Sequence, residues 1–103
     1  MKVYLIQSNI NGQITYKIGK TSRDTKLRLA ELSTGNAGQL AVVCEYESKN
    51  AGLIEKALHS QYSHKRLSGE WFKDSIEPSD FLKSCKDIDE NIKKLKNYNN
   101  PFI

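Results

Sequence analysis

Long apolar runs are missing from this chain of 103 residues. The run Val3–Ile6 is far too short for a secretory hydrophobic region or a membrane span, so neither a targeting segment nor a membrane contact is expected. Cysteine is scarce as well: Cys44 and Cys85 are the only two, and their spacing suggests no disulfide framework. Cys44, inside "AVVCEY", reads as a small buried hydrophobe. No CxxC pair exists and His59 and His64 lie five positions apart, which argues against a zinc site. Repeats, low-complexity tracts and long linkers are absent too. These absences predict one domain in a reducing, intracellular or cytoplasmic setting.

What is present is ordinary for a globular chain, with 38% hydrophobic and 27% charged residues, enough for a single core. The net charge of +4 suits a polyanionic partner without requiring one. Val3–Gln7 reads as a strand, Asn11-Gly12 as a hairpin turn and Ile14–Ile18 as the returning strand. "GKTSRD" reads as a loop leading to a short helix over Thr25–Leu32. Leu40–Glu47 is a third strand, apolar enough to be buried on both faces. Ser48 or Asn50 then caps a helix reaching about Lys65, with the stripe Ala51, Ile54, Leu58 and Tyr62. Gly69 breaks the chain, Glu70–Lys73 is extended, and Pro78 opens a third helix with Phe81, Leu82 and Cys85 on its apolar side. The order ββαβαα predicts a small α/β (α+β) domain, a sheet of about three strands flanked by helices. Residues 1–103 form one unit, with a core over 2–75 and a helical tail over 78–103.

Several residues carry chemistry. Tyr4 and the pair Tyr16-Lys17 come close across the hairpin. A tyrosine hydroxyl, with a free pKa of about 10, becomes a usable proton acceptor when an ammonium favours its phenolate. The plainer reading is that aromatics belong in strands and lysine protects an edge. Arg28 is able to clamp phosphate oxygens and a developing charge, or simply to pair with Glu31 or Asp24 on a solvated helix. Glu55 and His59, four apart on one helix face, read as a carboxylate for a hard cation with a histidine to orient it, or as a surface pair. Trp71 and Phe72 read as core plugs, or as base-stacking rings. "NIKKLKN" is a basic turn that suits a solvated face or phosphate contacts.

Each signal is weak alone, but their order is specific. The string "VYLI…YKIGKT…RLAEL…IEKALH…GEWF" resembles the GIY-YIG nuclease superfamily, in particular its small phage- and virus-type branch with "YKIG" and "GEWF", over about residues 2–75. The resemblance implies a three-stranded antiparallel sheet flanked by helices. It further implies metal-dependent endonucleolytic hydrolysis of DNA, by in-line attack of water on a phosphodiester with Mg²⁺ or Mn²⁺. Under it, Tyr4 matches the first motif tyrosine and serves as general base or water-positioning group. Arg28 matches the helix arginine that stabilises the transition state, and Glu55 the metal-binding glutamate. Lys17 stands where the family writes its second tyrosine, and holds the Tyr4 phenolate or donates to phosphate. Tyr16, one position earlier, points to the opposite face of the strand. Leu32 stands where many relatives carry histidine, and Lys2 replaces the first motif glycine. Tyr16, Lys20, Arg23, His59, Lys65 and Arg66 are the expected nucleic-acid contacts.

The alternative is a module on the same fold with weak or lost catalysis that binds nucleic acid or protein. A basic RNA-binding domain is a third reading, in which Trp71 or Tyr62 stacks on single-stranded bases. The nuclease-like stretch fills nearly the whole chain, so little sequence specificity is expected from the monomer. One site cuts one strand at a time, so a double-strand break calls for a homodimer or two encounters.

Overall fold

The computed structural model describes residues 1–25, 27, 29, 39–73 and 75–97. β1 (Lys2–Ile10) and β2 (Gln13–Thr21) form an antiparallel hairpin, with Lys2 opposite Thr21 and Ile10 opposite Gln13. Its two-residue turn needs φ > 0 at both positions. Asn11 (φ 52°) and Gly12 (φ 85°) supply it, and the Gly12 N–H donates to Asn9 Oδ1 at 2.9 Å. β2 continues through Gly19, Lys20 and Thr21, which the sequence reading gave to a loop.

β3 (Gln39–Glu47) pairs with the other side of β1, and the register shifts between Leu5 and Ile6, so Val43 bulges out of the ladder. The sheet continues past β2 through β5 (Trp71–Phe72) and β4 (Arg66–Ser68), in the order β3-β1-β2-β5-β4. Five strands therefore replace the expected three. β5 falls within the segment read as extended, Glu70–Lys73, but β4 and the pairing escape a periodicity argument because the strands are three and two residues long; Gly69 at φ 55° turns one into the other. The expectation that Leu40–Glu47 is buried on both faces is also corrected: β3 is an edge strand and half exposed. The strand buried on both faces is β1, where Val3, Tyr4, Leu5 and Ile6 are each at most 1% exposed.

Two helices pack on one face of the sheet, α1 (Ala51–Gln61) and α2 (Pro78–Asn97). α1 is shorter than read, giving way to a 3-10 turn at Ser63–Lys65 before Arg66 turns extended and opens β4. Its stripe Ala51, Ile54, Leu58 and Tyr62 is buried against Val3, Leu5 and Ile18. α2 adds Phe81 and Cys85 to the same core, with Ile88 and Ile92 along its margin, an i, i+4, i+7, i+11 spacing. Leu82 is instead exposed.

Asp89, on α2, is 2% exposed and joins three elements. It accepts from Tyr46 Oη (3.0 Å), Ser48 Oγ (3.0 Å) and Asn50 Nδ2 (2.9 Å). Lys96 Nζ donates to Asn50 Oδ1 at 2.7 Å. The sequence reading gave Ser48 or Asn50 as a helix cap; Asn50 takes the cap position but spends its amide on Asp89. Of the predicted helix over Thr25–Leu32, the described positions Thr25, Leu27 and Leu29 have helical backbone; Arg28 and Leu32 lie outside the described residues. No helix among the described residues is long and apolar enough to cross a membrane.

Candidate functional site at the open edge of β2

Residues paired across an antiparallel ladder share a face. Val3, Leu5 and Gln7 therefore lie with Lys20, Ile18 and Tyr16 on the helix-covered face, and Tyr4, Ile6 and Ser8 lie with Gly19, Lys17 and Thr15 on the other. Tyr4 and Lys17 share a face, as the hairpin geometry predicts, and Tyr16 faces away from both.

Tyr4 is 1% exposed and stands directly opposite Gly19. Its ring lies across the backbone there. A Cβ placed on Gly19 would collide with Tyr4 Oη and come within 2.5 Å of Cζ and 2.8 Å of Cε1. The "KIG" glycine is thus the seat of the "KVY" tyrosine. Its role is space rather than backbone freedom, since Gly19 is not among the residues with positive φ.

Lys17 is bonded elsewhere than the sequence suggested. Its Nζ lies 2.5 Å from Glu70 Oε2, with the side chain 9% exposed, and 5.6 Å from the centroid of Trp71. The β2–β5 register explains this, because Lys17 sits opposite Trp71 and the Glu70 carbonyl accepts from the Ile18 N–H at 3.2 Å. Glu70, placed from sequence at the start of an extended segment, is the residue that sequence reasoning missed. Its signal was a carboxylate in a Gly-initiated turn within reach of a strand lysine.

Of β2, β5 pairs with Tyr16 and Lys17 alone, which leaves the rest of that strand without a strand neighbour on that side. α1 fills the gap with side chains. His59 Nε2 lies 2.9 Å from the Ile18 carbonyl and 3.6 Å from Glu55 Oε1. Arg66 Nη2 lies 3.1 Å from His59 Nδ1, and Phe72 meets the imidazole edge-on at 5.2 Å. Lys20 reaches the first turn of α1, its Nζ 3.3 Å from where a Gly52 Cβ would stand. Glu55 Oε2 is buried without a hydrogen-bond partner. Burial pushes Glu55 above the ordinary carboxylate range and Glu70 adds to the shift, while His59, Lys20 and Lys17 pull the other way.

Lys17, Lys20, Glu55, His59 and Arg66 thus gather at one edge, with Tyr4 reaching it from the opposite face. The remaining predicted residues lie apart. Tyr16 packs into the helix-side core opposite Phe72. Lys65 donates to the Ser75 carbonyl at 3.0 Å and lies over Tyr62. Arg23 is exposed just beyond β2, its N–H bonded to Thr21 Oγ1.

The described residues hold no cluster of three or more His, Cys, Asp or Glu side chains. The donor set is instead a single carboxylate. One carboxylate would suit only a hard cation that keeps most of its water, and Glu55 Oε2 is a buried acceptor with no hydrogen-bond partner. Residues 1–96 match the T5orf172 domain, a phage-derived family linked to endonuclease-like proteins. Among curated proteins and solved structures, none matches the chain.

Proposed function

The chain belongs to the T5orf172 domain family, and from that membership and the geometry of the β2 edge we propose that it is a metal-dependent DNA endonuclease. The observation that carries this reading is Glu55: a carboxylate on a buried helix face, its pKa raised, one oxygen without a partner, amid lysines. A structural carboxylate in that position would be expected to find a donor for each oxygen.

Glu55 would hold Mg²⁺ or Mn²⁺. When bound, the ion supplies Lewis-acid stabilisation of the leaving oxygen of a phosphodiester. Tyr4, fixed over Gly19, would orient the attacking water or take its proton. Lys20, exposed at the mouth of the site, supplies positive charge for the phosphate backbone. The resemblance to GIY-YIG nucleases adds Arg28 as the transition-state cation.

Lys17 favours a second reading. Its ammonium is bound to Glu70 rather than free for substrate, which suits a binding module with weak catalysis on the same fold. Nicking of supercoiled plasmid separates the two. The nuclease reading expects relaxation with Mg²⁺ or Mn²⁺, none with EDTA, and none in Glu55→Gln that still binds DNA. Folded wild type that binds DNA and leaves the plasmid intact with both metals would establish the binding module.

A further inference from the structure

His59 links the exposed rim of the site to Glu55. Its ring is 13% exposed, packed edge-on against the fully buried Phe72, and both nitrogens are engaged. A guanidinium only donates hydrogen bonds. With Arg66 Nη2 at 3.1 Å, Nδ1 is therefore the acceptor and the imidazole proton sits on Nε2. That Nε2–H meets the Ile18 carbonyl at 2.9 Å, with Glu55 Oε1 next at 3.6 Å. The imidazole thus stands beside Glu55 Oε1 without bonding it, at 3.6 Å, while Oε2 is buried with no hydrogen-bond partner.

We infer that His59 is a positioning residue: held as the Nε2–H tautomer between Arg66 and Ile18, it orients Glu55 so that Oε2 faces the cation, and Arg66 serves His59 rather than the DNA backbone. The inference rests on the reading of Glu55 as the metal-holding group. It reassigns His59 and Arg66, both expected from sequence to contact nucleic acid. The ring makes no contact with substrate. It acts by filling the backbone position that the short β5 leaves open, and so couples the strand edge to the carboxylate.

The test uses the full chain with Mn²⁺ as probe, its binding followed by the electron paramagnetic resonance of the free ion. His59→Leu is expected to weaken Mn²⁺ binding by about tenfold or more, the usual effect of removing a group that orients a ligand. His59→Gln, which keeps an N–H donor, should recover most of that loss, whereas a role in packing alone would make the isosteric leucine the milder change. Ring ¹⁵N shifts of the wild type should report the Nε2–H tautomer. Arg66→Ala should leave the salt dependence of binding to a short DNA duplex unchanged, while Lys20→Ala should lower its slope by about one. Wild type that binds Mn²⁺ with an indifferent His59→Leu overturns this inference alone, as does an Nδ1–H ring or an Arg66→Ala slope that falls like that of Lys20→Ala. Wild type that binds no Mn²⁺ overturns the metal reading and this inference together.

Discussion

Replacing Gly19 with alanine reverses the sign that strand propensity assigns. Gly19 lies inside β2 without positive φ. At such a position a methyl group ordinarily stabilises by roughly 0.4–1 kcal/mol, because it restricts the unfolded chain. Here the methyl carbon would stand 2.5 Å from Tyr4 Cζ and 2.8 Å from Cε1, about 1 Å inside ordinary carbon–carbon contact. The ring is enclosed by its neighbours, Tyr4 being 1% exposed, and cannot swing aside freely. It must leave its rotamer at a cost of about 0.5–1.5 kcal/mol, or β1 and β2 must part, with overpacking penalties of about 1–3 kcal/mol. The clash outweighs the entropic gain, and Gly19→Ala is expected to destabilise by about 2 kcal/mol. In urea, with an m-value of about 1–1.5 kcal/mol/M for a domain this small, the midpoint should fall by roughly 1.5 M.

The fluorescence of Trp71, the single tryptophan, gives the readout. The decisive comparison is a double-mutant cycle with Tyr4→Leu, whose shorter side chain vacates the space. Gly19→Ala should be neutral or slightly stabilising in that background, a coupling of about 2 kcal/mol between the two positions. A penalty of equal size in both backgrounds would refute the reasoning, since the cost would then arise from the backbone or another neighbour. Under the proposed function, plasmid nicking should also fall in Gly19→Ala, because the displaced hydroxyl is the one assigned to the attacking water.

Glu55→Gln should raise the melting temperature of the metal-free protein. A carboxyl whose folded pKa is raised costs stability as pH climbs above the ordinary glutamate value, and glutamine removes that cost; Mg²⁺ should then raise the melting temperature of wild type but not of the variant. Asp89 has the opposite sign. Burial raises its pKa, but hydrogen bonds from Asn50, Tyr46 and Ser48, with Lys93, more than reverse this and leave it below the ordinary value. Its contribution is present above the ordinary aspartate range and lost as pH falls through the lowered folded value, so acid unfolding monitored by circular dichroism should lose part of its steepness in Asp89→Asn. Asp89→Ala should cost about 3 kcal/mol at neutral pH in denaturant unfolding, because its buried donors lose their acceptor. Glu70→Gln should destabilise more than Lys17→Met, since the first leaves a buried ammonium without its counter-charge and the second leaves a carboxylate that reaches water; equal losses would argue against the burial asymmetry.

Legibility from sequence followed the range of each signal. The hairpin was readable because Asn11-Gly12 is a local turn code, and the stripes of α1 and α2 because helical period repeats over several turns. Of β4 and β5 only the second was read, as the extended segment Glu70–Lys73, since strands of two or three residues carry no period that would show their pairing. The edge position of β3 escaped as well: an apolar run reports burial but not which strand takes the centre, and only the long-range pairing of β1 with both neighbours decides that. For the proposed site, Tyr4, Lys17 and Glu55 were singled out by their match to the motif string of the GIY-YIG resemblance, each being ambiguous by residue type and spacing alone. The contacts around them were not legible, because Glu70 reaches Lys17 from 53 positions away and Arg66 reaches His59 from 7 positions away across a change of element. Asp89 sat in a helix that read as polar tail, and nothing local marks one aspartate among several as the buried one.

The short β5 explains how one edge gathers groups from both faces of the sheet. A full-length neighbour would have saturated the outer backbone groups of β2 and kept side chains away from them. With only Tyr16 and Lys17 paired, the Ile18 N–H takes the Glu70 carbonyl and the Ile18 C=O takes His59. The first contact carries Glu70 to Lys17, and the second brings His59, and with it Glu55, to the strand. On the next residue the absence of a side chain lets the Tyr4 ring cross the strand from the opposite face. Extending β5 by restoring strand pairing opposite Ile18 and Gly19 would therefore displace His59 before it touched the core. The proposed site depends on two residues of β2 that lack a strand neighbour on this side, and under the proposed function a substitution that leaves every proposed functional side chain in place but closes that edge should abolish metal binding while raising stability.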